Sequence, residues 1–177
     1  MKNIVRSIIL LAAIALVTSC QSSRQKDLDN IKQIESETFS ENGMIDQTRV
    51  DELITVYESF ANDYPDDSLA PDYLFKAGDI AMNSNRSNKA INLYDQIISE
   101  FNNYPKAPEA LFLKGYVYEN NLGRLDKAKV IYEEFLTKYP ENEFADDAEV
   151  CLRYLGKSPE ELIEIFQNQS NQTQTDE

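Results

Sequence analysis

A repeated pattern of apolar and small residues in the middle of the chain constrains the fold more than any other feature. Five positions recur after 37 residues and five more recur after 38, because one residue is added in the turn between the two blocks. The matched pairs are Ala70 and Ala107, Pro71 and Pro108, Leu74 and Leu111, Phe75 and Phe112, Gly78 and Gly115, Lys89 and Lys127, Ala90 and Ala128, Tyr94 and Tyr132, Ile97 and Phe135, and Phe101 and Tyr139. A period of this length is typical of helical-hairpin arrays, in which each unit buries its apolar face against its neighbours. We therefore predict an all-α fold of about three to four helical hairpins.

The pattern extends beyond these two copies. The aromatic positions of the second block recur 37 residues earlier, so residues 49–62 are predicted to form the second helix of an earlier unit. Ala145 and Ala148 lie 38 residues after matching alanines and predict the first helix of a later unit. Pro65 and Pro140 each follow a tyrosine at the end of a helical pattern, where proline stops a helix because it lacks the backbone N–H.

Weaker signals lie outside the repeats. Leu28, Ile31 and Ile34 are spaced for one face of a short first helix, and residues 40–46 are predicted to form a loop whose Asp46 caps the next helix. Near the end, Gly156 closes one helix. Ser158, Pro159 and Glu161 then form the capping box that opens another helix.

The repeated residues resemble the tetratricopeptide repeat. The positions that match the family's glycine, alanine, aromatic residue and closing proline are Gly78 and Gly115, Ala90 and Ala128, Tyr94 and Tyr132, and Pro65 and Pro140. The resemblance covers residues 31–166 and implies a right-handed superhelical stack. Leu74 and Leu111 replace the family's usual tryptophan, and Lys114 occupies a position that is normally apolar. The Tyr-Pro-acid loops look like those of periplasmic lipoproteins, a branch that includes the β-barrel-assembly lipoproteins and the repeat domain of TolA-binding proteins.

The N-terminus has the pattern of a secretory signal. Two basic residues precede an apolar run at residues 8–17, which is shorter than the roughly twenty residues needed to span a bilayer. The run ends in Val-Thr-Ser-Cys, which resembles the site where bacterial lipoproteins are cleaved and lipidated. We predict that residues 1–19 are removed and that Cys20 carries the lipid that attaches the protein to a membrane. The alternatives are an ordinary signal peptide with a chance cysteine and an uncleaved anchor helix.

Composition defines the remaining segments. Residues 20–27 are predicted to be the lipidated cysteine and a polar tether, residues 28–166 a repeat domain, and residues 167–177 a disordered polar tail. Gln21 replaces the aspartate that retains many lipoproteins in the inner membrane. By resemblance, this favours the periplasmic side of the outer membrane, with the inner membrane as the alternative.

The charge of the chain argues against two classes of partner. The sequence holds 31 acidic and 17 basic residues and has a formal net charge of −14. Nucleic acids and anionic membrane surfaces both bind through clusters of lysine and arginine, so neither is expected to be a partner of this chain. The acidity is explained either by a solvated surface or by a face that steers a basic partner.

The first helices of the two clear repeats are apolar on most sides, and in the tetratricopeptide family such helices build a concave binding face. Carried over to this chain, the partner-binding groove consists of Asp72, Phe75, Asp79, Met82, Asn83, Glu109, Phe112, Tyr116, Glu119, Asn120 and Tyr154. Aromatic side chains among carboxylates suit an apolar peptide with basic flanks. The alternative is that Phe75, Phe112 and Tyr116 belong to the core.

Nothing in the sequence indicates catalysis, a cofactor or a metal site. The chain has no histidine, which is the commonest acid–base group and metal ligand near neutral pH. Cys151 lies on a helical face with Ala148 and Leu155 and is interpreted as a small buried hydrophobe. The chain also lacks a glycine-rich phosphate loop.

The resulting prediction is a lipid-anchored periplasmic scaffold that binds a protein or peptide partner during cell-envelope or outer-membrane protein assembly. A cell-division adaptor and a small-ligand-binding lipoprotein for nutrient capture are the alternatives. The sequence leaves open the partner's identity and the oligomeric state.

Overall fold

The computed structural model describes residues 23–40 and 44–173, and these divide into two compact units, unit 1 ending at Arg86 and unit 2 beginning at Ser87. The predicted signal peptide and Cys20 lie outside the described residues. Residues 23–38 are helical and are called α1. The other helices are α2 (Val50–Asp63), α3 (Ala70–Asn83), α4 (Ser87–Glu100), α5 (Ala107–Tyr116), a π-helical segment (Val117–Asn121), α6 (Leu125–Lys138), α7 (Ala145–Tyr154) and α8 (Pro159–Thr173). The predicted all-α class is confirmed for the described residues.

Unit 1 buries the apolar faces that the sequence spacing predicts. Leu28, Ile31 and Ile34 of α1 are all buried, as expected for one face of a helix. α2 packs against α3, and its residues Leu53 and Tyr57 are almost completely buried. The predicted second helix at residues 49–62 is therefore confirmed as α2.

Side-chain contacts extend α1 into the segment that the sequence analysis assigned to a tether. Residues 23–27 are helical. Arg24 forms an ion pair with Asp67 in the α2–α3 loop, and its Nη2 lies 3.2 Å from Asp67 Oδ1. The Tyr64 hydroxyl donates to Asp27 Oδ2 at 2.6 Å. The tether assignment is wrong for residues 23–27, because their polar side chains contact the α2–α3 loop of the same unit.

The connection between α1 and α2 is shaped by polar backbone contacts. Phe39 and Ile45 form an isolated antiparallel bridge. Asp46 Oδ1 accepts hydrogen bonds from the Thr48 backbone N at 2.9 Å and from Thr48 Oγ1 at 2.7 Å. Arg49, which has no side-chain capping bond, is the residue that precedes α2. The described part of the predicted loop, residue 40 and residues 44–46, is not helical. Asp46 stabilises the turn before α2 instead of capping the helix.

Unit 2 is built around aromatic residues of α5 and α6. α5 packs against α4 and α6, and α6 packs against α7. Tyr132 and Phe135 of α6 are fully buried against Leu111 and Phe112 of α5. Gly115 faces the Tyr132 ring so closely that a β-carbon at position 115 would lie 2.6 Å from Tyr132 Cε1.

The extra residue of the second clear repeat lies inside a helix and not in the turn where the sequence analysis placed it. The connections that follow the two repeats' first helices both contain three residues, 84–86 and 122–124. α5 instead continues into the π-helical segment, where the Leu122 N–H donates to the Val117 carbonyl at 3.1 Å. A π-helical turn holds one residue more than an α-helical turn, so it absorbs an insertion without lengthening the loop.

The C-terminal helix is longer than its composition suggests. Gly156 has a φ of +75° two residues after the end of α7, as expected for a glycine that closes a helix. The predicted capping box is confirmed, since the Ser158 N–H donates to Glu161 Oε2 at 2.8 Å and the Glu161 N–H donates to Ser158 Oγ at 3.2 Å. α8 then continues to Thr173. Helix therefore covers residues 167–173 of the predicted disordered tail, because a capped helix propagates through glutamine-rich sequence, and residues 174–177 lie outside the described residues.

Replacing Gly115 with leucine should destabilise the protein by about 1–3 kcal/mol, because the added side chain would have to displace the Tyr132 ring from a packed core. Urea unfolding followed by circular dichroism would measure the change. Val130→Leu, on an exposed position of α6, provides the matched control. Equal stability of the Gly115 variant and the control would contradict the close packing of Gly115 against the Tyr132 ring.

Candidate binding cleft

Unit 1 contains a cleft of about 610 Å³ beside α1 and α3. Its lining residues on α1 and just beyond it are spaced three and four apart, which places them on one helical face. Tyr57 of α2 contributes an aromatic surface, and α3 supplies three further side chains. The lining residues are Lys32, Glu35, Ser36, Phe39, Tyr57, Lys76, Asp79 and Ile80.

The Tyr57 side chain forms a rigid wall of the cleft. Only 1% of this residue is exposed, and its ring stacks on that of Tyr73 with 5.1 Å between centroids. The Tyr57 hydroxyl donates to Glu35 Oε1 at 2.6 Å. Burial of the ring, together with this hydrogen bond to a carboxylate, raises the pKa of Tyr57 far above its ordinary value. Tyr57 therefore remains protonated and holds Glu35 in place.

Lys76 places a positive charge at the edge of the same wall. Its Nζ lies 3.4 Å from Glu35 Oε1. The same ammonium lies 5.7 Å from the centroid of the Tyr57 ring and 5.2 Å from that of Tyr73, distances typical of cation–π contacts. The Lys76 side chain is 54% exposed, so it reaches these groups from solvent.

The lining of the cleft also offers apolar surface. Phe39 is 37% exposed, and Ile80 is half-buried. A concave site that combines apolar walls with a few fixed polar groups is the usual form of a binding pocket. The arrangement of this cleft therefore suits the side chains of a bound segment or a small ligand.

The five groove residues predicted in unit 1 occupy different environments. Asp79 lines the cleft. Asp72 and Asn83 are exposed and Met82 is half-buried. Phe75 is only 4% exposed, so its assignment to the groove is corrected to the core. The reason is that α3 is buried on several faces, and a large apolar side chain in the middle of such a helix is enclosed.

The predicted groove residues of unit 2 divide in a similar way. Phe112 is only 8% exposed, and its ring packs 5.2 Å from that of Phe144 and 5.9 Å from that of Phe135. It is therefore a core residue and not a groove residue. Tyr116 is 41% exposed, so the alternative that it belongs to the core is wrong.

The other groove candidates of unit 2 either form hydrogen bonds within the unit or are half-buried. Glu119 accepts a hydrogen bond from the buried Tyr132 hydroxyl at 2.8 Å. The Asn120 side-chain amide donates to the Tyr116 carbonyl at 3.3 Å. Glu109 and Tyr154 are half-buried. A binding role for these residues stays a prediction.

Glu35, Phe39 and Lys76 line the cleft but were not among the groove residues predicted from the sequence. α1 lies outside the clear repeats, so the repeat register assigned no groove positions to it. The repeat position of Lys76 is occupied 37 residues later by the apolar Leu113. The repeat pattern therefore gave no indication that Lys76 lines a cleft. The sequence feature that could have indicated the cleft is the spacing of Lys32, Glu35 and Phe39, which places them on one helical face.

Other site classes receive no support from the part of the chain that the structure describes. No group of three or more cysteine, aspartate or glutamate side chains is placed there to hold a metal ion. None of the described helices is long and apolar enough to cross a membrane. Cys151 is half-buried, and its burial raises the pKa of the thiol, so little of the nucleophilic thiolate forms near neutral pH.

Phe112→Asp should lower the free energy of unfolding by about 3 kcal/mol or more, because it removes a buried ring and buries a carboxylate. Tyr116→Asp should leave the melting temperature nearly unchanged, because the tyrosine is already substantially exposed. Thermal unfolding of the two variants beside the wild-type protein would measure both effects. A larger loss of stability for Tyr116→Asp than for Phe112→Asp would contradict this assignment of core and surface.

Comparison with known families identifies the repeats. Residues 72–106 and 109–142 match the model of the tetratricopeptide repeat. The first segment covers nearly all of α3 and all of α4, and the second covers most of α5, the π-helical segment and α6. No curated protein matches the chain. Arrays of helical hairpins use extended surfaces to bind other proteins, so the two matched segments suggest a protein-interaction scaffold.

Proposed function

We propose that this chain is a lipid-anchored scaffold of the bacterial cell envelope that binds a segment of a partner protein in the unit 1 cleft. The partner is proposed to belong to the machinery that assembles outer-membrane proteins. The observation that carries the binding role is the cleft itself, which combines aromatic and apolar walls with charged groups. Its α3 residues Lys76, Asp79 and Ile80 lie within the first matched segment.

The geometry of the cleft supports recognition of a protein segment. The exposed Phe39 ring and the half-buried Ile80 offer contact area for an apolar side chain. Glu35 is already oriented by the Tyr57 hydroxyl, so binding does not have to order it. Binding sites whose polar groups are held in place before the partner arrives lose less entropy on association.

The envelope location rests on the N-terminal sequence. A basic start, a ten-residue apolar run and a Val-Thr-Ser-Cys motif occur in the order that lipoprotein processing requires. Acyl chains on Cys20 would attach the repeat domain to a membrane while leaving it in the aqueous compartment. The resemblance of the Tyr-Pro-acid loops to envelope lipoproteins supports the same location.

A small-ligand-binding lipoprotein is the second candidate. The volume of the cleft, about 610 Å³, falls within the range typical of small-molecule sites. The cleft is also lined by both aromatic and charged groups. This candidate predicts that the cleft is occupied by a metabolite and not by a protein segment.

A photo-crosslinking amino acid at position 39 should capture an envelope protein in living cells, because Phe39 lies in the cleft and is partly exposed. The same amino acid at Val130, an exposed position in unit 2, is the matched control. Mass spectrometry of the adducts would identify the partner. Assembly-machinery proteins captured only from position 39 would support the proposal, and division or peptidoglycan-linked proteins would favour an adaptor. Equal capture from both positions, or no capture from position 39, would argue against the cleft as the partner site.

Cys20→Ser should abolish incorporation of labelled palmitate and move the protein from the membrane fraction to the soluble fraction, because the serine hydroxyl cannot take the thioether-linked lipid. Cys151→Ser is the matched control, since it alters the other cysteine of the chain. Labelling that persists in the Cys20 variant would contradict lipidation at Cys20. It would not bear on the binding role of the cleft.

A further inference from the structure

Lys76 occupies a site that has the composition of a cation receptor. The rings of Tyr57 and Tyr73 and the carboxylate of Glu35 surround its ammonium, and we call these three groups the cation box. The ammonium lies within 6 Å of both ring centroids and 3.4 Å from Glu35 Oε1. Two aromatic rings and a carboxylate attract a cation by the ring quadrupoles and by charge.

The cation box is held together by contacts that do not involve Lys76. Tyr57 and Tyr73 are both buried and stack with an interplanar angle of 22°. The Tyr57 hydroxyl holds Glu35 at 2.6 Å. The three groups would therefore keep their arrangement if the lysine ammonium moved away.

Lys76 itself is held weakly. Its side chain is 54% exposed, and its distance to Glu35 is long for a charged hydrogen bond. Ion pairs of this kind on a surface contribute little to stability because water competes for both charges. A second cation brought by a ligand is therefore able to take its place.

The charge of unit 1 around the cation box favours a positively charged ligand. Lys76, Tyr57 and Glu35 all line the cleft, so the cation box opens to the proposed partner site. The described residues of unit 1 include thirteen acidic and six basic side chains. An acidic unit raises the local concentration of basic partners.

We propose that the cation box binds a lysine or arginine side chain of the partner segment, and that Lys76 occupies this box when the partner is absent. The inference rests on the proposed function for the source of the cation. It makes Lys76 an internal competitor that lowers the affinity of the cleft for basic segments.

The test uses the full chain and small analogues of the two side chains, n-butylammonium and n-propylguanidinium. Their binding is followed by the chemical shifts of the tyrosine ring protons, with n-pentanol as an uncharged analogue. Lys76→Met should bind both cations about three- to tenfold more tightly than the wild-type protein, because the competing ammonium is gone. Adding Glu35→Gln to this variant should reverse the gain.

Unit 2 offers a matched control. Lys127 lies 5.1 Å from the centroid of the Tyr118 ring, whereas the Lys76 ammonium lies near two rings and the Glu35 carboxylate. Lys127→Met should therefore create no cation site at Tyr118. Equal cation affinity of wild-type protein and Lys76→Met, an equal gain for n-pentanol, or an equal gain at Tyr118 would each overturn the inference.

The analogue experiment needs no partner protein, so its failure is distinct from failure of the proposed function. Cation binding that tightens in Lys76→Met supports the cation box even if position 39 captures no envelope protein. Capture from position 39 that is unchanged in both Lys76→Met and Glu35→Gln would show that the partner uses the cleft without the cation box.

Discussion

A buried tyrosine in each second helix is the contact on which both units depend. Tyr57, Tyr94 and Tyr132 recur along the repeat and are at most 1% exposed. A phenol that is buried must satisfy its hydroxyl, and in α2 and α6 it does so with a carboxylate, Glu35 or Glu119. The large ring supplies apolar burial, while the hydroxyl determines which acidic side chain is held nearby.

The same interaction gives the two units different surfaces. In unit 1 the tyrosine that stabilises the core is also a wall of the cleft, so packing and recognition share one side chain. In unit 2 the corresponding ring lies against Gly115 and Phe112, and its partner Glu119 belongs to a π-helical segment. A substitution at Tyr57 would therefore affect stability and binding together, whereas exposed Lys76 separates the two effects.

Most features that depend on neighbouring residues in the sequence were predicted correctly, whereas several features that depend on packing between helices were not. Helices in the repeats were predicted because apolar periodicity and closing prolines act over a few residues. The placement of the extra residue was wrong because an insertion in a helix and an insertion in a turn leave the same spacing. Phe75 and Phe112 were assigned to the groove because a helix that is apolar all round does not reveal which ring is enclosed.

The sequence by itself determined the all-α class, the repeat register, the close approach at Gly115 and the capping box at Ser158, since these depend on residue type and spacing along the chain. Only the tertiary structure decided that Glu35, Tyr57 and Lys76 meet, because they come from three helices separated by up to 41 positions in the chain. No pattern within a single helix predicts a contact among these three side chains. The cleft arises from helix packing, which places a carboxylate, an aromatic face and an ammonium within contact of one another.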